Sequence, residues 1–129
     1  MTRKTIRILI NGCSETAIID YEEKTPWLML TFGNGQKQKY TGQDIYECFG
    51  KMIKSFPKIR FLCKGAKINV RPSSMSSQMT SGVMAYQHNL GTKASRKDVV
   101  NIFDYDDEDI INDPQLQTDF FFTWLDSLK

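Results

Sequence analysis

The sequence predicts an α+β fold: a single domain over residues 1–129, built on a largely antiparallel sheet with a central amphipathic helix, a short helix and a C-terminal helix. Three observations carry this expectation. The first 40 residues alternate apolar and polar positions and are broken by turn dipeptides, as in a hairpin meander. Residues 42–56 switch to a helical period. Short strand-like runs then return, and the chain closes on a second apolar helical stripe, an order that suits α+β better than alternating βαβ units. A chain of 129 residues, 40% hydrophobic and 25% charged, has room for one hydrophobic core.

Taken in order, "KTIRILI" puts Ile6, Ile8 and Ile10 on one face with Thr5 and Arg7 opposite, a half-buried strand. Asn11-Gly12 is a tight-turn pair. "TAIIDYEE" and "WLMLTF" follow as strands, the second apolar on both faces and therefore central. The "GNG" at 33–35 turns the chain into "QKQKY", whose lysines suit an exposed edge. In the first helix Ile45, Phe49, Met52, Ile53 and Phe56 share one face. Thr41 and Asp44 resemble a capping arrangement at its start, and Pro57 stops it. "KIRFLCK" is a strand. The serine-rich "RPSSMSSQMTSG" holds a short helix capped by Ser73 or Ser74, with Met75 and Met79 packing inward. "VMAYQHNL" and "VVNIFDY" are two more strands. Asp113 caps the last helix with Pro114 at its first position. Leu116, Phe120, Phe121, Trp124, Leu125 and Leu128 form a stripe expected to lock that helix onto the sheet.

Several function classes fall away. No apolar run approaches the roughly 20 residues needed to span a bilayer. The apolar part of the N-terminus is shorter than the roughly 7–15 residues of a secretory core segment. Cys13, Cys48 and Cys63 form no CxxC pair, and His88 is the only histidine, which points to a reduced cytoplasmic protein without structural zinc. His88 is the only imidazole base, and neither Ser73 nor Cys63 sits in a nucleophile motif that it would serve. The glycines at 33–35 belong to a hairpin turn, not to a phosphate-cradling loop before a helix. The block at 104–109 lacks the glycine and terminal acid of a calcium loop. No catalytic residue, metal ligand or cofactor is assigned, and no enzyme activity is expected.

Charge departs from the ordinary. Residues 1–97 hold 16 bases and 6 acids, whereas residues 98–129 hold 1 base and 9 acids. Between 48 and 97 there are 10 bases and no acid. Five acids then crowd into 104–109. Two readings stand. The halves neutralise each other across the fold, or one of them meets a charged partner. In the second case the basic segment 51–97, through residues 51–71 and 93–97, serves a nucleic-acid-binding protein, or the acidic block meets a cationic surface.

Residues 62–105 resemble a pattern shared by a group of small bacterial proteins: Leu-Cys-x-Gly-Ala, Pro-Ser-x-Met, Met-x-x-Gly, Ala-Tyr, Leu-Gly and a closing Ile-Phe-Asp. Relatives of that group whose genetic setting is known lie beside toxin genes. In size and character the chain is also similar to immunity proteins of contact-dependent growth inhibition systems. The resemblance implies no active site. It implies a cytoplasmic inhibitor of a cognate toxin domain, a basic nuclease, with no membrane and no direct nucleic-acid partner. The acidic block answers that expectation, since charge complementarity speeds capture and excludes wrong partners. Asp104, Tyr105, Asp106, Asp107, Glu108 and Asp109 are the expected toxin-binding residues.

Overall fold

Asn11 and Gly12 both take positive φ, 52° and 79°, the geometry of a two-residue hairpin turn whose twist matches the strands it joins. That turn fixes Ile10 opposite Cys13 and sets the register of the first two strands, β1 (Thr2–Ile10) and β2 (Cys13–Glu22). The computed structural model describes all of residues 1–129. Strands β3 (Trp27–Thr31) and β4 (Lys37–Thr41) continue the meander, and β5 (Ile59–Phe61) joins the far edge, antiparallel to β1. The sheet order is β4-β3-β2-β1-β5, so the lysine-bearing strand is an edge and β3 lies inside it, as the sequence indicates.

Helix α1 (Ile45–Ser55) covers the inner face of this sheet. Its stripe Ile45, Phe49, Met52 and Ile53 is at most 1% exposed and packs on Ile6, Ile8, Ile19, Leu28 and Leu30. Asp44 alone caps it, accepting the Glu47 N–H at 2.7 Å, while Glu47 reaches back to the Gln43 N–H at 3.1 Å. Thr41, expected in that cap, is instead the last residue of β4.

A second antiparallel sheet, β6 (Val70–Arg71), β7 (Met84–Gln87) and β8 (Val99–Asn101), adds Val70 and Ala85 to the same core, and Ile102 joins it just past β8. Helix α2 (Ser74–Thr80) links β6 to β7, with Ser73 as its cap. Its methionines do not pack inward: Met75 is 69% exposed and Met79 76%. The side turned to the protein carries hydroxyls that already have partners. Ser77 donates to Asp44, and Thr80 donates to the Ser76 carbonyl while accepting the Met84 N–H.

Helix α3 (Pro114–Ser127) starts where expected, with the Asp113 carboxylate accepting the Gln115 N–H at 3.0 Å. Its packing differs from the expected stripe. The helix lies against α1 and β6 and not across the large sheet. So narrow a contact buries only Gln117 and Trp124, and leaves Leu116 and Leu125 exposed at its flanks. No helix is long and apolar enough to cross a membrane.

Candidate functional site

The acidic block is a loop fastened at both ends to the core. Before it, Ile102 is fully buried and Phe103 stacks on Tyr21 at 4.9 Å and meets Phe49 edge-on at 5.6 Å. After it, Ile111 is buried. Between these anchors the backbone follows the segment 62–68. Lys64 N–H donates to Asp104 O at 2.8 Å and Asp106 N–H to Leu62 O at 3.2 Å. Ile68 N–H donates to Asp109 O, and Ile111 N–H to Ala66 O, both at 2.9 Å.

This seat explains part of the Leu-Cys-x-Gly-Ala stretch. Gly65 N–H donates to Ile102 O at 2.8 Å, and a Cβ on residue 65 would lie 2.7 Å from the Ile102 Cβ. Only glycine lets the two chains come so close. Cys63 bridges Tyr105 in the same seat.

One acid of the block turns inward. Asp106 Oδ2 accepts from Lys64 Nζ at 3.1 Å and Lys67 Nζ at 3.0 Å, and its Oδ1 accepts the Glu108 N–H at 2.9 Å. Lys67 is a buried lysine, 3% exposed, and its ammonium also donates to the Glu108 carbonyl at 3.2 Å. Desolvation pushes the Asp106 carboxyl upward. The Glu108 N–H, then Lys67 and Lys64, overcome it and hold the group down at about 2. The loop is therefore wrapped around a buried cation.

The other five expected residues, Asp104, Tyr105, Asp107, Glu108 and Asp109, are exposed, with Tyr105 at 55%. None of the four acids has a base within 4.0 Å. No three acid, cysteine or histidine side chains converge as metal ligands do. Local desolvation and then the Asp107 carboxylate raise the Tyr105 phenol above its ordinary pKa, so it stays neutral among the charges.

The basic segment is less available than its sequence suggests. Lys64 and Lys67 hold Asp106. Lys51 donates to Thr41 O at 2.7 Å, and Arg71 lies over the Phe121 ring at 4.8 Å. The remaining bases are dispersed: Lys54 on α1, Lys58 and Arg60 at β5, and Lys93, Arg96 and Lys97 before β8.

The candidate nucleophiles are occupied or inert. Desolvation raises the Cys63 thiol to about 12 and the Cys48 thiol to about 11. Ser73 Oγ accepts the Ser76 N–H at 3.0 Å as a helix cap. The His88 ring packs on Trp124 at 4.1 Å, and desolvation lowers its pKa, so it is neutral at pH 7.

No protein-family model matches the chain, and no curated protein matches it. Two features escaped the sequence: the inward turn of Asp106, and a groove beside His88 that contains Arg71. The available signal for the first was Lys64 and Lys67 flanking two small residues, Gly65 and Ala66, which lets a neighbouring chain approach from either side.

Proposed function

We propose that this protein is a cytoplasmic immunity protein that binds and neutralises a cognate bacterial toxin domain, a basic nuclease, and performs no chemistry itself. One observation supports the reading above the rest: four unpaired acids surround an exposed tyrosine on a loop held at both ends by core residues and backbone hydrogen bonds. A rigid anionic surface loses little entropy on docking and steers a basic partner into place. Tyr105 supplies the amphipathic anchor that such interfaces favour. Asp106 supports the surface from behind without touching the partner.

The alternative, nucleic-acid binding through residues 51–71 and 93–97, is disfavoured by the pairing of Lys64 and Lys67 within the fold and by the dispersal of the other bases over separate elements. It predicts submicromolar binding to tRNA or duplex DNA at about 0.15 M salt, falling steeply as salt rises. The immunity reading predicts none.

The direct test uses a toxin domain identified in the neighbouring reading frame, and a neighbourhood that encodes none would count against the reading. Replacing Asp104, Asp107 and Asp109 by Asn and Glu108 by Gln leaves the melting temperature close to wild type, since exposed charges contribute little to stability. Association at low salt slows by about tenfold or more, and its salt dependence weakens. Unchanged association, dissociation and growth protection would remove this loop as the recognition surface.

A further inference from the structure

A groove of about 1080 Å³ opens between α1, α2 and α3. Strand pairing builds its floor. Arg71 on β6 is directly opposite Tyr86 on β7, so both side chains stand on one face of the small sheet, while Val70 and Ala85 turn to the core. His88 follows on the same face. Helix α3 covers half of that face, placing Phe121 5.6 Å and Trp124 4.1 Å from the His88 ring. The uncovered half is the groove.

Its charges do not balance. Two acids, Asp44 and Glu47, and three bases, Lys51, Lys54 and Arg71, line it, so the groove is net positive. Asp44 accepts the Glu47 N–H at 2.7 Å and the Ser77 hydroxyl at 2.5 Å. Glu47 accepts the Gln43 N–H and faces Lys51 at 3.7 Å. Arg71 and Lys54 also line the groove, and neither has a carboxylate within 4.0 Å. Arg71 is half-buried. Its side-chain contacts are the Thr118 hydroxyl at 3.3 Å and the Phe121 ring at 4.8 Å, and neither neutralises it. A guanidinium held this way has donors left over, and its planar fork matches phosphate. Aromatic rings beside it offer faces on which a planar group stacks.

We propose that this groove is a binding site for a mononucleotide-class ligand, with the phosphate on Arg71 and Lys54 and the base against Tyr86 and Phe121. The site uses none of residues 104–109 and does not depend on the toxin-binding reading.

Isothermal titration of the full chain with AMP, UMP, adenosine and inorganic phosphate tests it, with Trp124 fluorescence as a second readout. AMP and UMP are expected to bind saturably with Kd below about 1 mM. Adenosine and phosphate alone bind at least about tenfold more weakly, because each satisfies one half of the site. Arg71→Gln weakens nucleotide binding by about tenfold or more, and Arg71→Lys restores part of it. Lys54 is exposed on α1, so Lys54→Ala keeps the fold and still weakens binding, which preserves the test if Arg71→Gln fails to fold. No saturable binding of either nucleotide up to about 5 mM would overturn the proposal. So would inorganic phosphate binding as tightly as AMP, or nucleotide affinity unchanged in Lys54→Ala and in every Arg71 variant that folds.

Discussion

Asp106→Asn is expected to destabilise the protein by about 3 kcal/mol, far more than neutralising any of the exposed acids on either side of it. The cost comes mainly from what stays behind. Lys67 is 3% exposed, and without the carboxylate its ammonium keeps only the Glu108 carbonyl as a full acceptor. A buried charge that loses its partner is penalised by its whole desolvation. The reverse replacement is milder. Lys67→Met fills a similar volume and leaves Asp106 paired with Lys64, so its expected cost is about 1 kcal/mol. Urea denaturation at pH 7 measures both. Equal losses for the two variants would mean that the buried ammonium is not what the loop is organised around.

Acid gives the same interaction a second reading. The Asp106 carboxyl is held at about 2, below its ordinary value of 3.8. A depressed carboxylate stabilises the fold fully above its unfolded pKa and loses that contribution as pH falls through the folded one. About 2 kcal/mol should therefore disappear between pH 4 and pH 2. In Asp106→Asn this step is absent, and the stability curve over that interval is correspondingly shallower. A variant whose acid limb matches wild type would place the pH dependence on other carboxylates.

Legibility in the sequence tracked the range of the interaction. The β1–β2 hairpin was readable because both its determinants are local: alternation over Thr5 to Ile10, and an Asn-Gly pair that tolerates positive φ. The α1 face was readable because Ile45, Phe49, Met52 and Ile53 sit at most 1% exposed at the positions the period marks; Phe56, also expected there, is the C-cap and only partly buried. Met75 and Met79 misled because two apolar residues in a seven-residue helix define a face without saying which side the core is on. Hydroxyls from Ser77 and Thr80 took the inner side instead. The charge totals left open whether the basic and acidic parts meet each other or a charged partner. That Asp106 and not Asp107 meets Lys67 depends on how two segments about 40 residues apart close on each other, and side-chain spacing along either segment does not encode it.

Trp124→Ala should cost about 3–4 kcal/mol, while Leu116→Ala and Leu125→Ala each cost less than about 1 kcal/mol. All three belong to the apolar stripe visible in the sequence, so the contrast tests where the stripe packs. Trp124 is 7% exposed, donates its indole N–H to Thr92 O at 3.0 Å and covers His88. Leu116 and Leu125 are 43% and 38% exposed and give up little when truncated. Similar losses for all three would show that α3 buries a broader face than its contacts with α1 and β6 allow. Between them sits Gln117, whose amide donates to both Gly65 O and Lys67 O at 2.8 Å. Gln117→Leu leaves the buried Gly65 carbonyl without a donor and Lys67 O with only the Val70 N–H, at about 2 kcal/mol. Its second effect is local: Lys67 carries the ammonium that Asp106 holds, so loosening its backbone loosens the acidic loop. Hydrogen exchange at the Ile68 and Ile111 amides, which bridge the seat and the loop, should rise in Gln117→Leu beyond what the global destabilisation accounts for. In this way the C-terminal helix acts on the acidic loop through a single polar side chain, although most of its own apolar residues stay half in water.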